Sequence, residues 1–140
     1  MYLLDVNVLI ALGDANHVHH RRGRAWFLST DRDGWATCPI TENGVVRILG
    51  HSTYPDFGGE PEDARQVLNS LTSTPGHQFW SDDLSICDNG SFPRLSRSGQ
   101  ITDLYLLALA IKNQGSFATL DQRIDPDLIP GGAMAYFLIP

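Results

Sequence analysis

Tyr2-Leu3-Leu4-Asp5-Val6 is the stretch on which the fold turns. It is a near-continuous apolar run interrupted by one carboxylate, the pattern of a short strand buried on both faces, and such strands belong to parallel sheets. The rest of the chain repeats the alternation that a parallel sheet needs. Asn16 is a plausible N-cap for a helix over 17–29, with Val18, Ala25, Trp26 and Phe27 on its apolar side, and Asp31-Arg32-Asp33-Gly34 supplies a turn. Trp35-Ala36-Thr37-Cys38 reads as a second strand stopped by Pro39. Thr41 can then cap a helix carrying Val45, Val46, Ile48 and Leu49, which Gly50 closes. Residues 52–59 form a loop, residues 60–71 resume helical spacing, and Pro75-Gly76 leads into a third strand, His77-Gln78-Phe79-Trp80.

A polar region over 81–99 follows, with room for a short helix near 84–87 that Asp82-Asp83 could cap. Residues 101–113 are almost uniformly apolar and rich in helix formers, so they predict a helix buried on most sides. Residues 116–120 and 133–139 are the fourth and fifth strand candidates, separated by a loop containing Asp125-Pro126 and Pro130-Gly131-Gly132. Strands alternating with helices predict an α/β fold with a mainly parallel central sheet of about five strands covered on both faces.

At 140 residues with 42% hydrophobic content, the chain has the size and core of one domain, 1–140. Acidic residues outnumber basic ones sixteen to ten, for a formal net charge of -6, which excludes a generally polycationic nucleic-acid binder and requires any nucleic acid to be held locally. Cys38 and Cys87 are too few and too far apart for a disulfide framework or a cysteine-rich zinc site. The apolar start lacks a basic region and contains Asp5, so it does not read as a signal peptide, and no run reaches the roughly 20 residues of a membrane span. The expectation is a cytoplasmic protein with no membrane association.

Ligands of parallel sheets bind beyond the carboxyl ends of the strands. Asp5 ends the first strand, Glu42 follows the second and Asp121 follows the fourth, while Asp103 begins the buried helix. Asp5 is the sole charge between Met1 and Leu12, and Asp103 the sole charge between Ile101 and Ile111. Each could serve only as a helix-terminal acid that complements the helix dipole. Gathered at one rim, however, four like charges repel and raise one another's pKa unless a cation joins them. Oxygen-only ligands select Mg²⁺ or Mn²⁺, ions able to activate water for phosphodiester hydrolysis.

Four blocks, Leu3-Leu4-Asp5-Val6-Asn7-Val8-Leu9, Thr41-Glu42-Asn43-Gly44 with Arg47 following, Thr102-Asp103-Leu104-Tyr105-Leu106-Leu107-Ala108-Leu109-Ala110, and Ala118-Thr119-Leu120-Asp121, resemble the motif blocks of PIN-domain ribonucleases in order and spacing. More narrowly they resemble the VapC toxins of bacterial VapBC toxin-antitoxin modules, over essentially the whole chain. That resemblance implies a three-layer α/β/α domain and a Mg²⁺- or Mn²⁺-dependent endoribonuclease acting on RNA. It also implies a homodimer inhibited by a cognate VapB-like antitoxin. Position by position it makes Asp5, Glu42, Asp103 and Asp121 the catalytic, metal-binding quartet, with Asn7 and Thr119 as supporting polar residues. Asp125, beside Pro126, either assists the quartet, as a further acid does near this position in many relatives, or is a turn-initiating loop acid, the reading its Asp-Pro pair favours.

Arg21, Arg22 and Arg24 form the densest basic run and, with Arg47, are the candidate contacts to RNA or antitoxin; Arg94 and Arg97 make a weaker group. His17, His19 and His20 lack a third ligand at zinc-like spacing and offer instead a rim contact. Two other functions fit parts of the pattern. A phosphoacceptor receiver domain also gathers acids at the carboxyl edge of a parallel sheet, but receivers carry an acidic pair after the first strand and a lysine after the last, whereas Asp5 stands alone and the chain has one lysine, Lys112. A PIN-like binding module without catalysis would have less reason to keep all four acids.

Overall fold

A computed structural model describes residues 1–30 and 34–140, and most of the turn expected at 31–34 lies outside the described residues. The described residues form one five-stranded sheet built from β1 (Tyr2–Leu4), β2 (Trp35–Thr37), β3 (His77–Phe79), β4 (Ser116–Thr119) and β5 (Tyr136–Leu138). The spatial order is β3-β2-β1-β4-β5, with every neighbouring pair parallel. The chain therefore builds outward from β1 to β3, then crosses back to add β4 and β5 on the other side. The switch point falls between β1 and β4, where a parallel sheet leaves a crevice at its carboxyl edge.

Strand pleating sorts the side chains between two cores. Leu3, Ala36 and Phe117 point to one face and are buried with Leu104, Leu106, Leu107 and Leu109 of α5 (Ile101–Lys112). Leu4, Trp35 and Ala118 point to the other, against α1 (Val6–Gly13), α2 (His20–Ser29), α3 (Pro39–Leu49) and α4 (Pro61–Thr72). Helices on both faces make the architecture three-layered α/β/α, as the alternation predicts. No helix among the described residues is long and apolar enough to cross a membrane.

Several local expectations are corrected. Val6 belongs to a helix and not to the first strand: β1 ends at Leu4, and α1, which periodicity alone did not separate from the strand, begins one residue after Asp5. Asn16 does not cap α2; its amide donates to Asp14 Oδ1 at 3.0 Å, and the helix starts at His20. Thr41 is the third residue of α3, whose first residue is Pro39, and its hydroxyl accepts from the Cys38 amide at 2.9 Å. No helix forms at 84–87, and Asp83 pairs with Lys112 at 2.9 Å instead of capping one. A one-turn helix, α6 (Gly132–Ala135), occupies the start of the span expected for the fifth strand.

Candidate active site

Asp5 is placed by the end of β1. Its amide donates to the Ala118 carbonyl at 3.0 Å, extending the ladder with β4 by one residue, and the backbone then turns directly into α1. The side chain follows Leu3 onto the α5 face and is 3% exposed. Burial raises its pKa, opposed by the Thr119 hydroxyl and by the first amides of α1. Thr119, itself fully buried, donates to Asp5 Oδ2 at 2.7 Å and accepts from the Asp121 amide at 3.0 Å.

Asp103 comes from the first turn of α5 and is half-buried. Its carboxyl is pushed up to about 7, first by burial and then by the charges of Asp5 and Asp121, with Arg123 acting in the opposite direction. Asp121 lies just past β4, where its two oxygens grip Arg123: Nε approaches Oδ1 at 2.9 Å and Nη2 approaches Oδ2 at 2.8 Å. That guanidinium holds the Asp121 pKa below the usual carboxylate range. Asp5, Asp103 and Asp121 are thus brought together at the switch point.

Glu42 takes a different position. Its Oε1 accepts from Thr37 Oγ1 at 2.6 Å, and the same hydroxyl lies 2.8 Å from His77 Nε2. Thr37 follows Trp35 onto the α1–α4 face, whereas Thr119 follows Phe117 onto the α5 face. Asp5 is thus bonded to a threonine on the α5 face and Glu42 to one on the α1–α4 face, each at the carboxyl end of its strand. The His77 imidazole has its pKa lowered by burial, with Glu42 pulling it back up. His77 was read from the sequence only as a strand residue, and no spacing signal linked it to Glu42, thirty-five positions earlier.

The remaining expected residues separate clearly. Asn7 is exposed and lines a cleft with His17, His19, Asp121 and Arg123. Arg47 lines a neighbouring cleft with Val6, Asn43 and Thr102. Arg22 donates through Nε to the Pro140 backbone oxygen at 2.8 Å and through Nη2 to that of Ile139, so its side chain holds α2 to the segment after β5. Arg21 and Arg24 are exposed on α2. His20 Nδ1 lies 2.7 Å from the Ala11 carbonyl oxygen, and Asp125 caps a short turn by accepting from the Asp127 amide at 3.1 Å. Lys112 is occupied by Asp83, which removes the lysine that a receiver domain would need at the acidic rim. Arg123 was passed over in the sequence because only the folded turn, with its amide 2.8 Å from Asp121 Oδ1, folds its side chain back onto the acid two positions earlier.

The arrangement is a buried and a half-buried carboxylate with a third turned onto an arginine. Among the described residues no three His, Cys, Asp or Glu side chains converge as a complete ligand cluster, with Asp121 drawn to Arg123 and Glu42 to Thr37. The donor set nevertheless fits a hard divalent cation: it is all oxygen, and burial, followed by repulsion from Asp5 and Asp121, raises Asp103. Arg123 supplies the positive charge next to the group.

The PIN domain family profile matches residues 2–125. The chain is 45% identical over 131 residues to "Ribonuclease VapC44" of Mycobacterium tuberculosis, covering 92% of each protein. It is 44% identical over 124 residues to "Ribonuclease VapC39" of the same organism, covering 87% of this chain and 89% of that one. With "Ribonuclease VapC38" it shares 41% over 124 residues, covering 89% and 87%. A profile match from the first strand to the turn beyond the fourth, with relatives this similar along nearly their whole length, establishes that this chain belongs to the PIN domain family, in its VapC branch.

Proposed function

We propose that the protein is a metal-dependent endoribonuclease, the toxin of a VapBC-type toxin-antitoxin module, working as a single-domain cytoplasmic homodimer. The observation that carries this reading is the meeting of Asp5, Asp103 and Asp121 at the β1/β4 switch point, with Asp103 raised to about 7 by burial and by the other two. Family membership and the names of the VapC relatives supply the substrate class. In this reading Asp5, Asp103 and Asp121 hold Mg²⁺ or Mn²⁺. When bound, such an ion lowers the pKa of water and offsets charge on the phosphate oxygens. Thr119 orients Asp5 and Asp121 through its hydroxyl, and Asn7 faces the substrate from the start of α1.

A cognate antitoxin of the VapB type is the proposed inhibitor. Its approach is favoured by an acidic rim that a partner's arginine can engage through paired hydrogen bonds. The test is cleavage of total cellular RNA in Mn²⁺ or Mg²⁺ by the wild type and by Asp5→Asn, Asp103→Asn and Asp121→Asn. Each substitution is expected to slow cleavage by about a hundredfold or more while the fold persists. Folded variants that cleave at wild-type rates contradict the assignment, and zinc-restored activity that neither Mg²⁺ nor Mn²⁺ can replace contradicts the choice of ion.

A further inference from the structure

The acidic centre adjoins a cleft of about 370 Å³ whose walls include Arg94, Arg97, Gln100, Arg123 and Asp125. Arg123, whose guanidinium grips Asp121, also lines the cleft containing Asn7 and Asp121, so the two spaces meet at this residue. Gln100 Nε2 donates to the Arg123 carbonyl at 2.8 Å, fastening the turn before α5 to the turn after β4. Arg94 and Arg97 are exposed and form no ion pair among the described residues. The single carboxylate of the cleft, Asp125, accepts from the Asp127 amide.

This concentration of positive charge occurs in a chain of net charge -6, directly beside the carboxylates that would repel a polyanion. Three other basic side chains are committed elsewhere, while Arg21 and Arg24 lie exposed on α2 and Arg47 lines a separate cleft. Arg65 pairs with Glu62, Lys112 with Asp83, and Arg22 binds the backbone oxygens of Ile139 and Pro140. Arginine is suited to the task, since its planar fork of donors matches phosphate oxygens and its charge is permanent. Contacts of this kind set the position and register of a nucleic acid without reading its bases.

We propose that Arg94, Arg97 and Arg123 form a phosphate-binding subsite that holds the backbone of single-stranded RNA on one side of the acidic centre. This rests on the ribonuclease reading above and extends it by giving the substrate a direction: the strand leaves the carboxylates past Arg123 and continues over Arg97 and Arg94. RNA with nucleotides on that side of the cleaved bond is held more tightly than RNA that ends there.

The test is a fluorescence titration of a labelled, mixed-sequence single-stranded RNA in chelator, across a series of salt concentrations, with cleavage of total RNA by the wild type in Mn²⁺ assayed in parallel. Arg94→Ala/Arg97→Ala is expected to weaken binding about tenfold at low salt, and its slope of log K against log salt should be shallower by about 1.4, the release expected from two lost contacts to a single strand. Arg94→Lys/Arg97→Lys keeps most of the slope because it keeps both charges, and Arg65→Ala, on α4 and outside the cleft, leaves binding unchanged. A double alanine variant with wild-type affinity and slope, or a wild type that does not bind the RNA, overturns the subsite. Binding that depends on both arginines in a protein that cuts no RNA supports the subsite and contradicts the ribonuclease reading, whereas cleavage without such dependence does the reverse.

Discussion

Thr119 donates its hydroxyl to Asp5 Oδ2 at 2.7 Å, tying the carboxyl ends of β4 and β1 together across the switch point of the sheet. The same oxygen receives the Asp121 amide at 3.0 Å, so one buried hydroxyl fixes where two of the three clustered acids stand. Thr119→Val keeps the shape and removes the hydroxyl. Leaving Asp5 buried without its donor is expected to cost about 1–3 kcal/mol and to lower RNA cleavage, while Thr119→Ser retains most of both. Thermal melts and cleavage rates on the three proteins check this, and equal behaviour of the valine variant and the wild type contradicts it.

Stability without metal is expected to fall as pH rises. Asp103 is raised to about 7 in the fold and Asp5 is raised by burial, whereas both titrate near about 3.9 when unfolded. Between the unfolded and folded values of Asp103 the folded chain holds more protons than the unfolded one, so its contribution is complete below the unfolded pKa and is lost as pH climbs through about 7, and Asp5 acts in the same direction. Asp121 acts oppositely. Arg123 lowers its pKa, so its contribution is present above the unfolded value and disappears only as pH falls through the lowered one. Melting temperatures in chelator should therefore decline from about pH 5 to about pH 8 for the wild type and decline less for Asp103→Asn. Parallel profiles contradict the raised Asp103 pKa, which burial and then the charges of Asp5 and Asp121 produce.

Gly44 sets the distance between α3 and α1. A Cβ placed there would stand 2.7 Å from Val6 Cγ2 and 3.2 Å from Val6 Cγ1. Gly44→Ala is expected to cost about 1–3 kcal/mol by overpacking and to displace Val6, with Asp5 next to it. Chemical denaturation and cleavage should both register the change, whereas an alanine variant as stable and active as the wild type contradicts this account of the helix contact.

Glu42 and Asp103 should respond differently to neutralisation. Glu42 is held by Thr37, in turn beside His77, so Glu42→Gln is expected to leave the cation-dependent rise in melting temperature near the wild-type value. Its effect should fall on the hydrogen bonding between α3 and the β2/β3 edge. A loss of the metal response equal to that of Asp103→Asn contradicts this expectation and puts Glu42 with the other three acids.

The alternation of strands and helices was legible because it rests on runs of apolar residues, and so were the acids at the rim, because a parallel sheet sends the end of every strand to one edge. What the sequence did not disclose depends on finer geometry. From Leu3 to Ala11 only Asp5 and Asn7 interrupt an apolar run, and their alternation with Leu4, Val6 and Val8 continues a strand pattern past Asp5, so the boundary between β1 and α1 could not be seen. The partner Glu42 finds, Thr37, is set by the pleat of β2 and not by distance along the chain. Arg123 became part of the site only when the turn after β4 brought its guanidinium onto Asp121. At 84–87, where no helix forms, the chain is tied to α5 instead: Lys112 Nζ pairs with Asp83, the Tyr105 hydroxyl donates to the Asp82 backbone carbonyl at 2.9 Å, and Leu84 packs on the α5 core.

The central claim, that Asp5, Asp103 and Asp121 form a working cation site, is tested most directly by melting the wild type and Asp103→Asn across a series of Mg²⁺ or Mn²⁺ concentrations. A cation that binds only the folded state stabilises it by about 2.7 kcal/mol at a hundredfold excess over Kd. The wild type is expected to be the less stable or equal partner in chelator and to gain clearly more than the variant as cation is added. If the acids act only as independent helix-terminal groups, added cation will shift both proteins by the same amount, and that result contradicts the claim.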